Sequence, residues 1–205
     1  MKIMFMTLRD RVERFTDFSN LSKDWEYVFA GYEKDTSKLL NAFGCRVSYN
    51  KRYPLSPSQE KEYNVTYMSA DDILKNCDIV SLHIPSNKET FEYMNEERFA
   101  VMKKGSILIN TARGEVVKNE ALLEALKSGQ IAVAGLDVLA PEPVKEDNIV
   151  VKAMKNDGEL AEKIVLAPHI AGLTVQTFDK IYGTIWSNFK KVCAGETPVN
   201  IVNHP

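Results

Sequence analysis

At its centre the chain has the sequence Ser106-Ile107-Leu108-Ile109-Asn110-Thr111-Ala112-Arg113-Gly114, an apolar β-rich run followed at once by a polar turn. Two later segments have the same form: Gly135-Leu136-Asp137-Val138 leads to Pro141-Glu142-Pro143, and then comes Leu166-Ala167-Pro168-His169-Ile170-Ala171-Gly172. Open α/β sheets place their ligands at the carboxyl ends of parallel strands, where such polar residues follow an apolar run. The three segments therefore predict strand ends that carry functional side chains.

Short β-rich runs and amphipathic helical stretches alternate from residue 65 onward. This alternation is typical of β-α-β units around a parallel sheet. The predicted fold class is therefore α/β, a doubly wound, Rossmann-like parallel sheet. Its predicted strands are Cys45–Tyr49, Ile79–Ile84, Ser106–Asn110, Ala132–Val138 and Ile164–Ala167.

Helix signals lie between and after these strands. Asn119 is the expected cap of a helix that ends at Gly129, where a left-handed backbone is needed. Near the C-terminus apolar residues recur at helical spacing and predict a long amphipathic helix that packs through this face. These residues are Val175, Phe178, Ile181, Tyr182, Ile185, Phe189 and Val192.

The first 36 residues have the pattern of a short β-α-β fragment. Their predicted elements are a strand at Ile3–Met6, a helix at Arg9–Leu21 and a strand at Trp25–Ala30. Residues 37–44 follow directly and have the pattern of the back half of a helix. The front of that helix is missing from the pattern, so we expect the sheet to be incomplete at its glycine-rich loop.

Composition limits the classes of partner. The 205 residues include 26 Lys and Arg against 28 Asp and Glu, a formal net charge of −2. Without a basic excess we expect no nucleic-acid or anionic-membrane partner. The apolar start, residues 1–6, is far too short to span a membrane. Cys45, Cys77 and Cys193 are odd in number and widely spaced, so we expect neither a disulfide framework nor a metal site, and a reducing cytoplasm.

Three side chains at the predicted strand ends have complementary chemistry. The guanidinium of Arg113 can grip a carboxylate and polarise a neighbouring carbonyl, which suits a 2-oxo or 2-hydroxy acid. The imidazole of His169 exchanges a proton near neutral pH and can take the hydroxyl proton as hydride leaves the substrate carbon. The carboxylate of Glu142 can orient that imidazole and favour its protonated form.

Each of these residues also has a purely structural interpretation. An Arg at a strand end is commonly a surface ion-pair residue. His169 after Pro168 can simply satisfy the backbone of a loop. A Pro-Glu-Pro loop around Glu142 is often a rigid solvated turn. Their order, spacing and shared position after strands favour the catalytic interpretation.

In combination these segments resemble the nucleotide-binding domain of the D-isomer-specific 2-hydroxyacid dehydrogenases. The resemblance covers residues 37–205 and includes the run from Cys77 to Pro85. It implies that Arg113 binds the substrate carboxylate, that Glu142 and His169 form the acid/base pair, and that Asp137 lies near the nicotinamide carboxamide. It also implies a set of residues that line the cofactor: Ile84, Pro85, Thr90, Thr111, Ala112 and Gly172. Taken alone, Pro85 and Thr90 are better explained as residues that shape a loop.

The chain departs from this family before residue 37. Dinucleotide sites use several glycines so that the backbone can approach the pyrophosphate. The corresponding stretch Ala30–Thr36 has one glycine and carries Glu33 and Asp35, which repel phosphate. Residues 1–36 resemble the start of the family's substrate domain, and we expect a domain-sized stretch to be absent near Asp35 to Lys38. We therefore expect this truncated chain to bind NAD(P)H weakly or not at all.

The end of the second strand bears on the choice between NAD and NADP. A carboxylate there accepts the ribose hydroxyls and repels a 2′-phosphate, whereas a neutral residue followed by cations does the opposite. This chain has Asn50 followed by Lys51 and Arg52, which slightly favours NADP. Because these two cations are equally well explained as a solvated pair, NAD stays open.

Three functions are compatible with these patterns. The first is an NAD(P)-dependent oxidoreductase that acts on a small 2-hydroxy or 2-oxo acid. The second is a non-catalytic remnant that serves as a binding or assembly module, and the third is a doubly wound domain with an unrelated ligand. The sequence leaves the substrate and the oligomeric state open, a homodimer included.

Overall fold

Seven parallel strands form one sheet in the computed structural model, which describes residues 26–30, 34–172 and 175–201. The strands are β1 (Glu26–Ala30), β2 (Arg46–Asn50), β3 (Val65–Tyr67), β4 (Ile79–Leu82), β5 (Ser106–Asn110), β6 (Ile131–Leu136) and β7 (Ile164–Leu166). Their order across the sheet is β3-β2-β1-β4-β5-β6-β7. This order reverses between β1 and β4, which confirms the doubly wound α/β class and places a crevice outside their carboxyl ends.

Helices connect the strands. They are α1 (Lys34–Ala42), α2 (Pro57–Tyr63), α3 (Ala70–Asn76), α4 (Glu96–Val101), α5 (Asn119–Lys127), α6 (Ile149–Asn156), α7 (Gly158–Lys163) and α8 (Val175–Cys193). Side chains cap several of them; Ser56 and Gln59, for example, form a reciprocal capping box at the start of α2. Gly129 has φ +70° after α5, as its predicted role requires.

The main hydrophobic core is formed by β4 to β7 together with the helices α3 to α7. Leu82, Leu108, Leu122, Leu126 and Ile131 are almost completely buried in it. A smaller cluster around Val47, Tyr49 and Val65 supports the other edge of the sheet. Burial of these apolar side chains is the dominant favourable term in folding.

The predicted strands are confirmed to within two residues at either end. Strand β1 matches the strand expected at Trp25–Ala30 and pairs with both β2 and β4. It is therefore part of the same sheet as the later strands. The domain boundary expected after residue 36 stays a prediction, because residues 1–25, with the elements expected at Ile3–Met6 and Arg9–Leu21, lie outside the described residues.

One helix expectation was wrong, and the long amphipathic helix expected near the C-terminus is present as α8. Asn119 is the first residue of α5 and not its cap, and its Nδ2 donates a hydrogen bond to the carbonyl of Ala140 at 3.0 Å. The large apolar side chains of α8 are 43–73% exposed. Phe178 stacks on Tyr182 and Trp186 stacks on Phe189 within the helix.

The described chain divides into two compact units, with the division between Pro168 and His169. The second unit contains α8, and the side chain of Asn188 exchanges two hydrogen bonds with the backbone of Val199. These bonds fold the segment after the helix back onto it. Among the described residues, none of the helices has the length and apolarity needed to cross a membrane.

Candidate cofactor pocket and active site

A cavity of about 430 Å³ opens at the carboxyl ends of β2 and β4. These strands flank β1, so the cavity lies at the point where the strand order reverses. Among its lining residues are several that the sequence predicts for the cofactor: Asn50, Lys51, Arg52, Ile84, Pro85 and Thr90. The structure thus brings together two predicted groups of residues that are more than thirty positions apart in sequence.

Asn50 forms the wall of the cavity at the end of β2. Its Nδ2 donates to the carbonyl of Met68 at 2.8 Å and to the hydroxyl of Tyr67 at 3.4 Å. The described residues donate no hydrogen bond to its Oδ1. The side chain is therefore held by its amide nitrogen and keeps an acceptor atom for a ligand hydroxyl.

The loop after Asn50 is held by a hydrogen bond to the side chain of Tyr49. The Tyr49 side chain is 1% exposed. Its hydroxyl accepts a hydrogen bond from the Leu55 backbone at 2.7 Å and donates one to Glu60 Oε1 at 2.8 Å. Burial, reinforced by the bond to Glu60, raises the pKa of this phenol. The loop that carries Lys51 and Arg52 is thereby tied at both ends.

The opposite wall is a tight turn after β4. The hydroxyl of Thr90 donates to the carbonyl of Pro85 at 2.6 Å and accepts from the backbone of Asn87 at 2.9 Å. The side chain of Asn87 accepts from the backbone of Glu89 and Thr90 at 2.8 and 3.1 Å. Thr90 and Pro85 therefore do shape this loop, and the same loop forms part of the cavity wall.

Several cavity residues were missed by the sequence reasoning: His83, Asn87, Glu89 and Tyr93. His83 is half-buried, and its Nε2 lies 2.9 Å from the hydroxyl of Ser81. Burial lowers the pKa of this imidazole, because a low dielectric disfavours the charged form. The sequence signal that could have identified it is a histidine inside the mostly apolar run Ile79–Ile84.

A second group of predicted site residues lies at the carboxyl ends of β5 and β6. Asn110, the last residue of β5, is 1% exposed. Its Oδ1 accepts from the backbone of Ala112 at 3.0 Å, and its Nδ2 donates to the carbonyl of Arg113 at 2.9 Å. These bonds fix the turn that holds exposed Thr111, half-buried Ala112 and exposed Arg113. The Arg113 guanidinium donates to the carbonyl of Ala112 at 2.6 Å.

The loop after β6 packs directly on this turn. A Cβ atom at Gly114 would lie 2.2 Å from the backbone of Leu139 and Ala140, so only glycine permits this approach. The backbone of Asp137 donates to the carbonyl of Asn110 at 2.9 Å. Asp137 is buried at the strand end, and Glu142 is exposed farther along the same loop. The loops of Arg113 and Glu142 are therefore neighbours.

His169 and Gly172 are both exposed and lie in the second compact unit. His169 comes three residues after β7 and has φ +54°, a left-handed conformation that His adopts more readily than most residues. The pairing of Glu142 with His169 stays a prediction. In the described part of the chain, no group of three or more His, Cys, Asp or Glu residues is arranged to hold a metal ion.

Comparison with known proteins connects these features to one family. Residues 33–171 match the model of the D-isomer specific 2-hydroxyacid dehydrogenase NAD binding domain. A glyoxylate reductase from Thermofilum pendens is 39% identical over 171 residues, and one from Korarchaeum cryptofilum is 40% identical over 167 residues. Each alignment covers 82% of this chain, but only 47% and 48% of the relatives.

The structural comparison agrees with the sequence comparison. The crystal structure of D-lactate dehydrogenase with NAD+ from Lactobacillus jensenii superimposes with a TM-score of 0.75 at 31% identity. The match covers 88% of this chain and 56% of that one. The chain thus spans about half the length of the relatives that it matches.

Proposed function

The chain belongs to the D-isomer-specific 2-hydroxyacid dehydrogenase family, and from this premise we propose that it transfers a hydride between a nicotinamide cofactor and C2 of a small D-2-hydroxy or 2-oxo acid. The two curated relatives described above are named glyoxylate reductases, which supports a short 2-oxo acid as substrate. The observation that carries the proposal is the cavity at the strand-order reversal, next to the strand-end turn of Arg113.

The cavity suits the adenosine half of a nicotinamide cofactor. Its volume of about 430 Å³ lies in the range of about 300 to 1,000 Å³ that is typical of small-molecule sites. Asn50 keeps an acceptor for a ribose hydroxyl, while Ile84 and Pro85 offer apolar contact with the base. Thr90 holds the loop that carries them. The fit supports a cofactor bound across the carboxyl ends of the strands.

The nicotinamide half would lie at the carboxyl ends of β5 and β6. Thr111, Ala112 and Gly172 would line it, and buried Asp137 would accept a hydrogen bond from the carboxamide. When bound, the nicotinamide supplies or accepts the hydride. The protein's part is to hold the reacting carbon of the substrate close to it.

Arg113 is the proposed binder of the substrate carboxylate. Toward the described residues its guanidinium donates one hydrogen bond, to the carbonyl of Ala112, which leaves most of its donors for a bidentate grip on the acid. The same positive charge polarises the 2-oxo group. In the direction of reduction His169 donates a proton to the carbonyl oxygen, and in the direction of oxidation it removes the proton from the hydroxyl. Glu142 orients the imidazole and favours its protonated form.

The cofactor preference is proposed to lean slightly towards NADP. Asn50 is neutral where a carboxylate would repel a 2′-phosphate, and Lys51 and Arg52 follow it at the cavity mouth. Both NADP and NAD are compatible with the family, whose matched model describes an NAD binding domain. Steady-state kinetics with both reduced cofactors measures this preference.

A non-catalytic binding module is the second candidate. It is favoured by the stretch Ala30–Thr36, from the end of β1 into the first turn of α1, which has one glycine and two acidic residues. Such a segment binds pyrophosphate poorly. The two candidates differ in whether a 2-oxo acid is turned over at millimolar cofactor.

Kinetics of substituted proteins test the proposed function. We expect His169→Ala to lower turnover of 2-oxo acids by ~10²–10⁴-fold, the usual contribution of a positioned acid/base. We expect Arg113→Ala to weaken both substrate binding and turnover. Arg46→Ala serves as the control. Arg46 is exposed and begins β2, at the end of the strand that is far from the proposed site. Turnover that survives both site substitutions would contradict the assignment, and absence of turnover in the unsubstituted protein would favour the binding module.

A further inference from the structure

An ion pair crosses the mouth of the cofactor cavity. Arg52 Nη2 lies 2.5 Å from Glu89 Oε2. The two residues are 37 positions apart and come from the loops after β2 and β4, which flank β1. Both residues line the cavity. The pair therefore spans the carboxyl end of β1, in front of the region where the adenosine ribose is proposed to bind.

Both residues of this pair lie on loops that hydrogen bonds hold in place. The backbone N–H of Glu89 donates to Asn87 Oδ1 at 2.8 Å, and the next turn is closed by the bond from Phe91 to the carbonyl of Asn87, also 2.8 Å. Arg52 lies on the loop that Tyr49 holds through Leu55. Hydrogen bonds therefore hold the backbone of both loops that carry the pair.

The carboxylate of Glu89 changes what Arg52 offers to a ligand. A guanidinium prefers a phosphate oxygen pair with which it forms two parallel hydrogen bonds. Glu89 already occupies one of its nitrogens, and a 2′-phosphate at this position would meet a like charge. A neutral ribose 2′-hydroxyl meets no such repulsion. Selectivity between related ligands is commonly obtained through a repulsive group of this kind.

Resting on the proposed function, we propose that Glu89 is a specificity-determining residue of the cofactor pocket. It competes with a 2′-phosphate for Arg52 and so limits the preference for NADP that Lys51 and Arg52 create. Removal of its charge leaves Arg52 available to the phosphate. The pair is 70% and 73% exposed at its two side chains, so its direct contribution to stability is small and its loss leaves the fold intact.

Adenosine fragments test this proposal independently of turnover. Adenosine 2′,5′-bisphosphate and 5′-AMP differ only in the 2′-phosphate, and neither contains a pyrophosphate or a nicotinamide. Their dissociation constants are measured by NMR titration of the whole chain, with binding located by shifts of residues 50–52 and 82–90. We expect Glu89→Gln to lower the dissociation constant of the bisphosphate by about 5- to 10-fold. This is the effect of removing one charge about 7 Å from a dianion in water. We expect 5′-AMP to change by less than about 2-fold.

Two further variants complete the test. Arg52→Gln is expected to raise the dissociation constant of the bisphosphate by a similar factor and to leave that of 5′-AMP unchanged. Glu97→Gln removes the same charge from an exposed site on α4 and is expected to change neither constant, which separates a local effect from one of net charge.

The outcomes distinguish this proposal from the proposed function. If both fragments bind in the cavity and Glu89→Gln alters neither or both equally, the role of Glu89 is refuted and the cofactor pocket stands. If neither fragment shifts the cavity residues, the pocket itself is refuted, and with it the role of Glu89. Circular dichroism of each variant shows that it is folded.

Discussion

At the scale of single residues, polar side chains at the strand ends are held in place by hydrogen bonds to the backbone. Asn50 and Asn110 each end a strand, and each uses its amide to bind a neighbouring backbone carbonyl. His83 is held differently, by burial beside Ser81. Asn50 was identified from the sequence because it stands where a ribose-binding carboxylate is expected at the end of the second strand, and Asn110 because it opens the polar turn that leads to Arg113. His83 was not, because periodicity does not distinguish a histidine that faces a cavity from one that faces a helix.

The buried state of His83 predicts a pH dependence of stability. Burial places its pKa in the folded protein below the ordinary value of 6.5 that applies to the unfolded chain. Above this pH both states are neutral at His83 and the residue has no effect. As the pH falls below about 6.5 the unfolded chain binds the proton first, so the free energy of unfolding decreases until the pH passes the folded pKa.

Urea unfolding across pH 7 to 5 measures this effect. We expect His83→Gln to remove part of the loss of stability seen in the unsubstituted protein over this range. Parallel pH profiles for the two proteins would show that His83 does not titrate as its burial predicts.

At the scale of elements, the strands and their order follow from sequence patterns, whereas contacts between distant loops do not. Asn119 fits an N-cap by local rules, but it bonds instead to Ala140, 21 positions away. Arg52 and Glu89 are 37 positions apart, and no local pattern pairs them. The face of α8 was predicted correctly as apolar, but periodicity indicates only that a face is apolar and not what covers it.

The contact between the loops after β5 and β6 predicts a strong effect at Gly114. We expect Gly114→Ala to lower the free energy of unfolding by about 2 kcal/mol or more, because its Cβ would collide with the backbone of Leu139 and Ala140. It should also lower turnover, since the same turn carries Arg113. Gly158→Ala is the matched control: a Cβ there meets no atom within 4 Å, so we expect a change within about 0.5 kcal/mol. Equal stabilities of the two variants would contradict the close approach of these loops.

At the scale of the whole molecule, the doubly wound sheet of the family is combined with a stretch, Ala30–Thr36, that is poor in glycine. The strand-end residues Arg113, Glu142 and Asp137 and the cavity at β2 and β4 are all present on this sheet. The segment Ala30–Thr36 has one glycine, so we expect NADH and NADPH to bind weakly. Weak binding would raise KM and leave the proposed acid/base chemistry of the strand ends in place. The sequence thus predicts both a set of acid/base residues and weak cofactor binding. It does not predict whether the chain turns over substrate, because the proposed mechanism also requires His169 to reach the substrate.

Transfer of isotope from the cofactor is the most direct measurement of the proposed hydride transfer. The protein is incubated with glyoxylate or pyruvate and with millimolar NADH or NADPH that carries deuterium at the transferable C4 position. We predict one deuterium at C2 of the 2-hydroxy acid, with D configuration in the lactate formed from pyruvate, and loss of this product in His169→Ala. Absence of labelled 2-hydroxy acid from the unsubstituted protein, at cofactor concentrations shown to be saturating or at the solubility limit, would contradict hydride transfer as the function of this chain.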